Sequence, residues 1–183
     1  MIKWSVVAVL AVIIAVISRG SLLKPRSHGF WRFFAWELIL LLIAVNLEAW
    51  FVDPLSWHQI ISWILLVNSL LPLYFGIRSL ISKGKPATNR EGEPNLLAFE
   101  KTTNLITSGI YHYIRHPMYS SLLLLSWAAF FKSPSPIAGS LALAASICLY
   151  LTARADETEC IRYFGEKYLQ YMKTTKRFIP YIF

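Results

Sequence analysis

The sequence predicts an all-α integral membrane protein with about five transmembrane helices and an amphipathic helix at a cytosolic C-terminal end. Three observations lead there. Apolar residues make up 56% of the 183-residue chain against 15% charged, and they lie in long blocks that a soluble domain of this length rarely carries. The basic residues, which give a formal charge of +8, sit between those blocks rather than in one patch. Membrane topology and anionic headgroups explain that placement, and nucleic acid is not expected as a partner. Finally, the loops alternate between basic and nearly uncharged.

The first apolar block runs from about Trp4 to Ile17 and ends in Ser18-Arg19-Gly20. With Lys3 in front it has the form of a signal peptide, but no small-x-small cleavage site follows, so a retained helix is expected. The second block, Phe30 to Phe51, and the third, Trp57 to Ile81, each meet the ~20 residues a bilayer requires. The fourth, Met118 to Phe131, and the fifth, Ile137 to Ala153, are shorter, and Lys132-Ser133-Pro134-Ser135-Pro136 separates them. Two prolines cannot continue a helix, so the pair reads as a tight antiparallel hairpin. Beyond it, Ile161, Phe164, Tyr168 and Met172 have the spacing of one helix face, which predicts an amphipathic surface helix.

The whole chain, 1–183, reads as one membrane domain: three spans in 1–81, a loop in 82–117, and the hairpin with its C-terminal helix in 118–183. Arg19, Lys24 and Arg26 occupy the first loop, and Lys83, Lys85, Arg90, Lys101 and Arg115 the third. Arg154, Arg162, Lys167, Lys173, Lys176 and Arg177 follow the fifth block, while the two opposite loops hold only Asp53 and Lys132. Positive charge marks the cytosolic side, so the N-terminus is expected outside and the C-terminus in the cytosol. Cys148 and Cys160 have no metal or redox spacing, and no metal site is expected. Glu37, Asn46 and Glu48 lie in or beside the second block, where an ionisable group is a functional candidate by default. Glu48, however, is near water, and Glu37 is within reach of Arg32, so structural roles are expected.

The densest polar run is Thr107 to Tyr119, which enters the fourth block through Arg115-His116-Pro117-Met118-Tyr119. Pro117 suits the first turn of a helix, placing Arg115 and His116 at a terminus whose free N–H groups favour an anion. An interfacial belt of tyrosine, arginine and histidine remains the alternative. The second run, Arg154-Ala155-Asp156-Glu157-Thr158-Glu159, leaves the fifth block. It could neutralise a cation or bond ribose hydroxyls, or form the acidic first turn of the surface helix.

Together, Ser108-Gly109-Ile110-Tyr111 through Arg115-His116-Pro117-Met118-Tyr119, and Asp156-Glu157 through Phe164-Gly165-Glu166-Lys167-Tyr168-Leu169-Gln170-Tyr171 to Phe178-Ile179-Pro180, resemble the isoprenylcysteine carboxyl methyltransferase family. That family is related to the phospholipid N-methyltransferases, and the likeness covers roughly 95–183. The resemblance implies an S-adenosylmethionine-dependent membrane methyltransferase whose last two spans and C-terminal helix surround the cofactor, with the preceding loop as a lid. Its acceptor would be an amphiphilic or lipid-linked molecule from the inner leaflet. Carried over by position, Tyr111, His116, Pro117, Tyr119 and Asp156 would contact the cofactor, with Thr103, Asn104, Leu105 and Ile106 supplying backbone contacts. No acid or base is required, because a sulfonium methyl donor is already activated and transfer depends on alignment in a dry pocket. Arg115 and Glu157 are the candidates for any catalytic role, and Arg154 for substrate binding.

Two departures stand out. The family usually has glutamate where Asp156 stands, and Thr152 occupies the position of an arginine that eukaryotic members use for the prenylated substrate. Arg154 would face about 200° away from it on a helix, which weakens a prenylcysteine substrate more than methyl transfer. Two other readings are an NADPH-dependent membrane reductase of the sterol type, whose C-terminal region looks similar, and a non-enzymatic membrane scaffold. The usual soluble methyltransferase fold is excluded, since no Gly-rich strand-turn-helix motif is present.

Overall fold

A computed structural model describes residues 2–84 and 102–182. Within them the chain forms six α-helices: α1 (Ile2–Leu22), α2 (His28–Asn46), α3 (Trp57–Lys83), α4 (Pro117–Lys132), α5 (Pro136–Phe164) and α6 (Glu166–Thr174). Single 3-10 turns cover Leu47–Ala49 and Gly109–His112. Residues 85–101 of the expected lid lie outside the described residues.

The four longest helices, α1, α2, α3 and α5, are long and apolar enough to cross a membrane. The fourth expected span, α4, is the exception: it has 16 residues, short of the ~20 a bilayer requires. It packs along α3 and beside α2 and α5. Its small residues Ser120, Ser121, Ser126, Ala128 and Ala129 are all buried, which lets neighbouring backbones approach closely. In contrast, α1 exposes Val6, Val9, Val12, Ile13 and Val16, the surface of a helix that meets lipid on most sides.

Helix ends follow local chemistry. Ser27 caps α2 by accepting from Phe30 N–H, and Ser135 caps α5 by accepting from Ala138 N–H, each satisfying an orphan donor of the first turn. The prolines at the start of α4 and α5 need no N–H there. The hairpin turn is further held by Lys132, which is buried, bonds Gln59 Oε1 at 3.0 Å and lies 3.3 Å from the centre of the Trp63 ring. Glu48 is exposed and pairs with Lys3 at 2.8 Å, tying the start of α1 to the end of α2. Arg32 lies over the Trp36 ring.

The C-terminal region differs from its expected form. The acidic run does not begin a surface helix: α5 continues unbroken from Pro136 to Phe164, so Asp156 and Glu157 stand mid-helix. The switch from apolar to charged residues near Ala153 changes what surrounds the helix without breaking it. The break comes at Gly165, with φ 62° and ψ −137°, a conformation essentially reserved for glycine. A Cβ there would meet nothing within 4 Å, so substitution costs only backbone strain. Gly165→Ala is expected to lower stability by about 1–3 kcal/mol, measurable as a lower unfolding temperature in detergent. After α6 the chain turns back, and Ile114 pairs with Lys176 in an isolated parallel bridge.

Candidate active site

The two polar runs meet. Pro117 begins α4, leaving His116 immediately before the helix and Tyr119 one turn inside it. Its ring lies against α3: a Cβ added to Gly76 would be 3.1 Å from Pro117 Cγ, so glycine permits the close crossing. The His116 ring stacks on Tyr119, with centroids 5.3 Å apart and planes 15° from parallel. His116 Nδ1 lies 3.4 Å from Asp156 Oδ2, and Nε2 lies 3.3 Å from Glu157 Oε1. Tyr119 donates its hydroxyl to Asp156 Oδ2 at 3.3 Å.

Burial alone would push the His116 pKa down, but carboxylates on both ring nitrogens raise it above its ordinary value. The sign of the linkage follows. The stabilisation is fully present below the unfolded value of about 6.5 and is lost as pH rises through the higher folded value. The unfolding temperature is therefore expected to fall as pH is raised over that interval, and His116→Gln should flatten this dependence.

Glu157 is the centre of a second layer beneath the first. It accepts from Arg115 Nε at 2.9 Å and from Arg177 at 2.7 and 3.1 Å. Arg115 also donates to the carbonyls of Met172 and Thr175, and its backbone N–H bonds Lys176 O at 2.8 Å. This fastens the entrance of α4, the side of α5 and the C-terminal tail together. Tyr171 donates to Tyr111 O at 2.6 Å, tying α6 to the turn before α4. Burial raises the pKa of both Tyr168 and Tyr171, so they remain neutral phenols.

A cavity opens above this platform. Its wall includes Asn104, Leu105 and Ile106 from the loop, Tyr111, and Arg115, His116, Pro117 and Tyr119 from the α4 entrance. Asp156 closes the α5 side, and Tyr168 and Tyr171 the α6 side. Of the residues singled out in sequence, Thr103 is exposed, and Thr102 lines the cavity in its stead. The backbone N–H groups of Thr103 and Asn104 bond Gly84 O, which fixes that stretch against the end of α3. Glu157 is buried below the cavity wall, and Arg154 is exposed on another face of α5.

Sequence reasoning missed His28, which opens α2 and lines the cavity. It is 1% exposed. Its backbone N–H donates to Glu159 Oε1 at 2.9 Å, and its Nδ1 lies 2.5 Å from Glu159 Oε2. A histidine some 130 residues away from its partner gives no local signal. Arg177 was seen only as a tail charge.

The fold and cavity define an integral membrane protein with a polar, aromatic-walled pocket where short and long helices meet. Comparison with known proteins gives that class its family. The phospholipid methyltransferase family model matches residues 93–167. The protein-S-isoprenylcysteine O-methyltransferase of Homo sapiens is 30% identical over 137 residues, covering 72% of this chain and 47% of that protein. The methanethiol S-methyltransferase of Pseudomonas deceptionensis is 26% identical over 157 residues, covering 82% of this chain and 53% of that protein. The chain is thus similar to the isoprenylcysteine O-methyltransferases and carries a region matching the phospholipid methyltransferase family. It spans about half the length of the curated relatives it matches. No solved structure matches it.

Proposed function

We propose that this chain is an S-adenosylmethionine-dependent methyltransferase of the membrane, acting on a lipid-like or lipidated acceptor. The observation that carries the reading is the convergence of Arg115–Tyr119 and Asp156 on one cavity, within a region matching the phospholipid methyltransferase model. Relatives named for O- and S-methylation favour methyl transfer over the sterol-type reductase and scaffold readings.

The donor set fits the cofactor. Tyrosine faces can stabilise a sulfonium, the Asp156 carboxylate can receive an ammonium or ribose hydroxyl, and the Asn104–Ile106 backbone can take an adenine edge. When bound, S-adenosylmethionine supplies a methyl group already activated for in-line displacement. The protein's part is then to orient and to exclude water. His116 holds Asp156 and Tyr119 in place; Arg115 and Glu157 hold the α4 entrance, a positioning rather than a catalytic duty. Arg154, on an exposed face of α5, can meet a substrate only outside the cavity.

We place the basic loops and the C-terminus in the cytosol and the N-terminus outside, following the loop charges. The cofactor would then arrive from the cytosol and an amphiphilic acceptor from the inner leaflet. Calorimetric titration of the detergent-purified protein with S-adenosylmethionine tests the reading. Saturable binding is expected, competed by S-adenosylhomocysteine and not by NADPH. A folded protein that takes up no S-adenosylmethionine would sink it.

A further inference from the structure

The histidine at the start of α2 has a use that the cofactor contacts do not supply. One ring nitrogen and the backbone N–H of His28 are both taken by the Glu159 carboxylate. The other nitrogen, Nε2, is buried and has no hydrogen-bond partner among the described residues. Leaving a buried imidazole nitrogen unsatisfied is costly, and a catalytic role is one of the reasons such a group persists. Here the ring lines the same cavity as Asp156, His116 and Tyr119.

We propose, resting on the methyltransferase reading, that His28 is the proton acceptor for a thiol substrate and that Glu159 is its positioning residue. Nδ1–H donating to the Glu159 carboxylate fixes the tautomer with the lone pair on Nε2, the arrangement of an oriented base. A carboxylate acceptor has no proton to give up and would enter against Asp156 and Glu159, whose oxygens lie within 4.8 Å of a His28 ring nitrogen. An ammonium holds its proton to about pH 10, whereas a thiol ionises at about 8.5, closer to the His28 imidazole, whose pKa burial lowers but the Glu159 and Asp156 carboxylates raise above its ordinary value. A thiol therefore matches this pair best. It also enters uncharged past the apolar Leu80, Ile106 and Met118 wall.

The step balances without another reactant. The thiol S–H proton passes to His28 Nε2. The sulfur electron pair forms the new S–CH3 bond as the sulfonium–methyl bond breaks, and its electrons stay on the departing sulfur. A thioether, neutral S-adenosylhomocysteine and an imidazolium held by Glu159 result; the proton then leaves to water.

The test compares wild type with His28→Gln, which retains a polar group of similar reach. Labelled S-adenosylmethionine is the donor, and octanethiol and the more acidic thiophenol are the acceptors. Cofactor affinity by calorimetry should change less than about threefold, because Asp156 and His116 are untouched. The octanethiol rate should fall by about 10²–10⁴-fold, the usual contribution of a positioned base, with a much smaller loss for thiophenol, which ionises unaided. Independently of turnover, the imidazole nitrogen NMR signal absent from His28→Gln should shift in wild type when octanethiol is added. Equal losses with both thiols, or an unmoved imidazole signal, overturn the proposal. So does activity that EDTA abolishes and zinc restores, since a metal on His28, Asp156 and Glu159 would then activate the thiol. Wild type that binds cofactor but methylates no thiol overturns the thiol assignment and leaves the methyltransferase reading standing. Wild type that binds no cofactor overturns both.

Discussion

Glu157→Ala is expected to destabilise the fold by about 3–5 kcal/mol, the usual cost of stripping one partner from a buried ionic cluster. Glu157 is 5% exposed, and its two oxygens receive Arg115, Arg177 and the His116 ring. Removing it leaves two guanidiniums and an imidazole facing one another in a place with little water. Those groups belong to the α4 entrance and the returning tail, so the loss should separate the tail from the bundle as well as lower the unfolding temperature. Thermal unfolding in detergent, with proteolysis of the C-terminal segment as a second readout, checks both. Glu157→Asp, which keeps the charge but shortens the reach, should recover part of the loss. An unfolding temperature unchanged in Glu157→Ala would mean that the cluster contributes nothing net.

Its immediate neighbour should behave oppositely. Asp156→Ala is expected to weaken S-adenosylmethionine binding by about 10–100-fold, since a hydrogen bond to a charged group contributes about 1.5–3 kcal/mol. The effect on folding should be smaller than for Glu157, because Asp156 is partly exposed at the cavity and bonds His116, Tyr119 and Cys160 rather than a pair of guanidiniums. Titration calorimetry against unfolding temperature separates the two variants: one mainly loses ligand, the other mainly loses fold. Asp156→Glu, restoring the residue the family usually carries, should retain binding. If Asp156→Ala bound the cofactor as wild type does, the carboxylate would have no part in recognition.

Much of the fold was legible because membrane helices announce themselves by length and composition, and because Pro117, Pro134 and Pro136 punctuate them. The meeting of His116 with Asp156 was legible for a similar reason, as a hairpin of known turn brings fixed positions level. Three features were not. The continuity of α5 was hidden because a change from apolar to charged residues imitates a helix end, whereas the backbone stops only at Gly165. The role of Arg177 was hidden because an irregular tail has no periodicity to carry its side chain toward Glu157. His28 was hidden because the bond to Glu159 spans 131 positions, and only the α2–α5 packing brings the two together.

The shortness of α4 has a consequence for depth. Sixteen residues rise only about 24 Å, against a hydrocarbon layer of about 30 Å. A Lys132–Pro136 turn held at one boundary would leave the His116 end several ångströms short of the other. The methyl-accepting atom would thus be met among the first methylenes of the acyl chains, below the phosphates. Turnover should accordingly respond to lipid chain length: shorter-chained vesicles bring that mouth level with water, and longer-chained ones sink it.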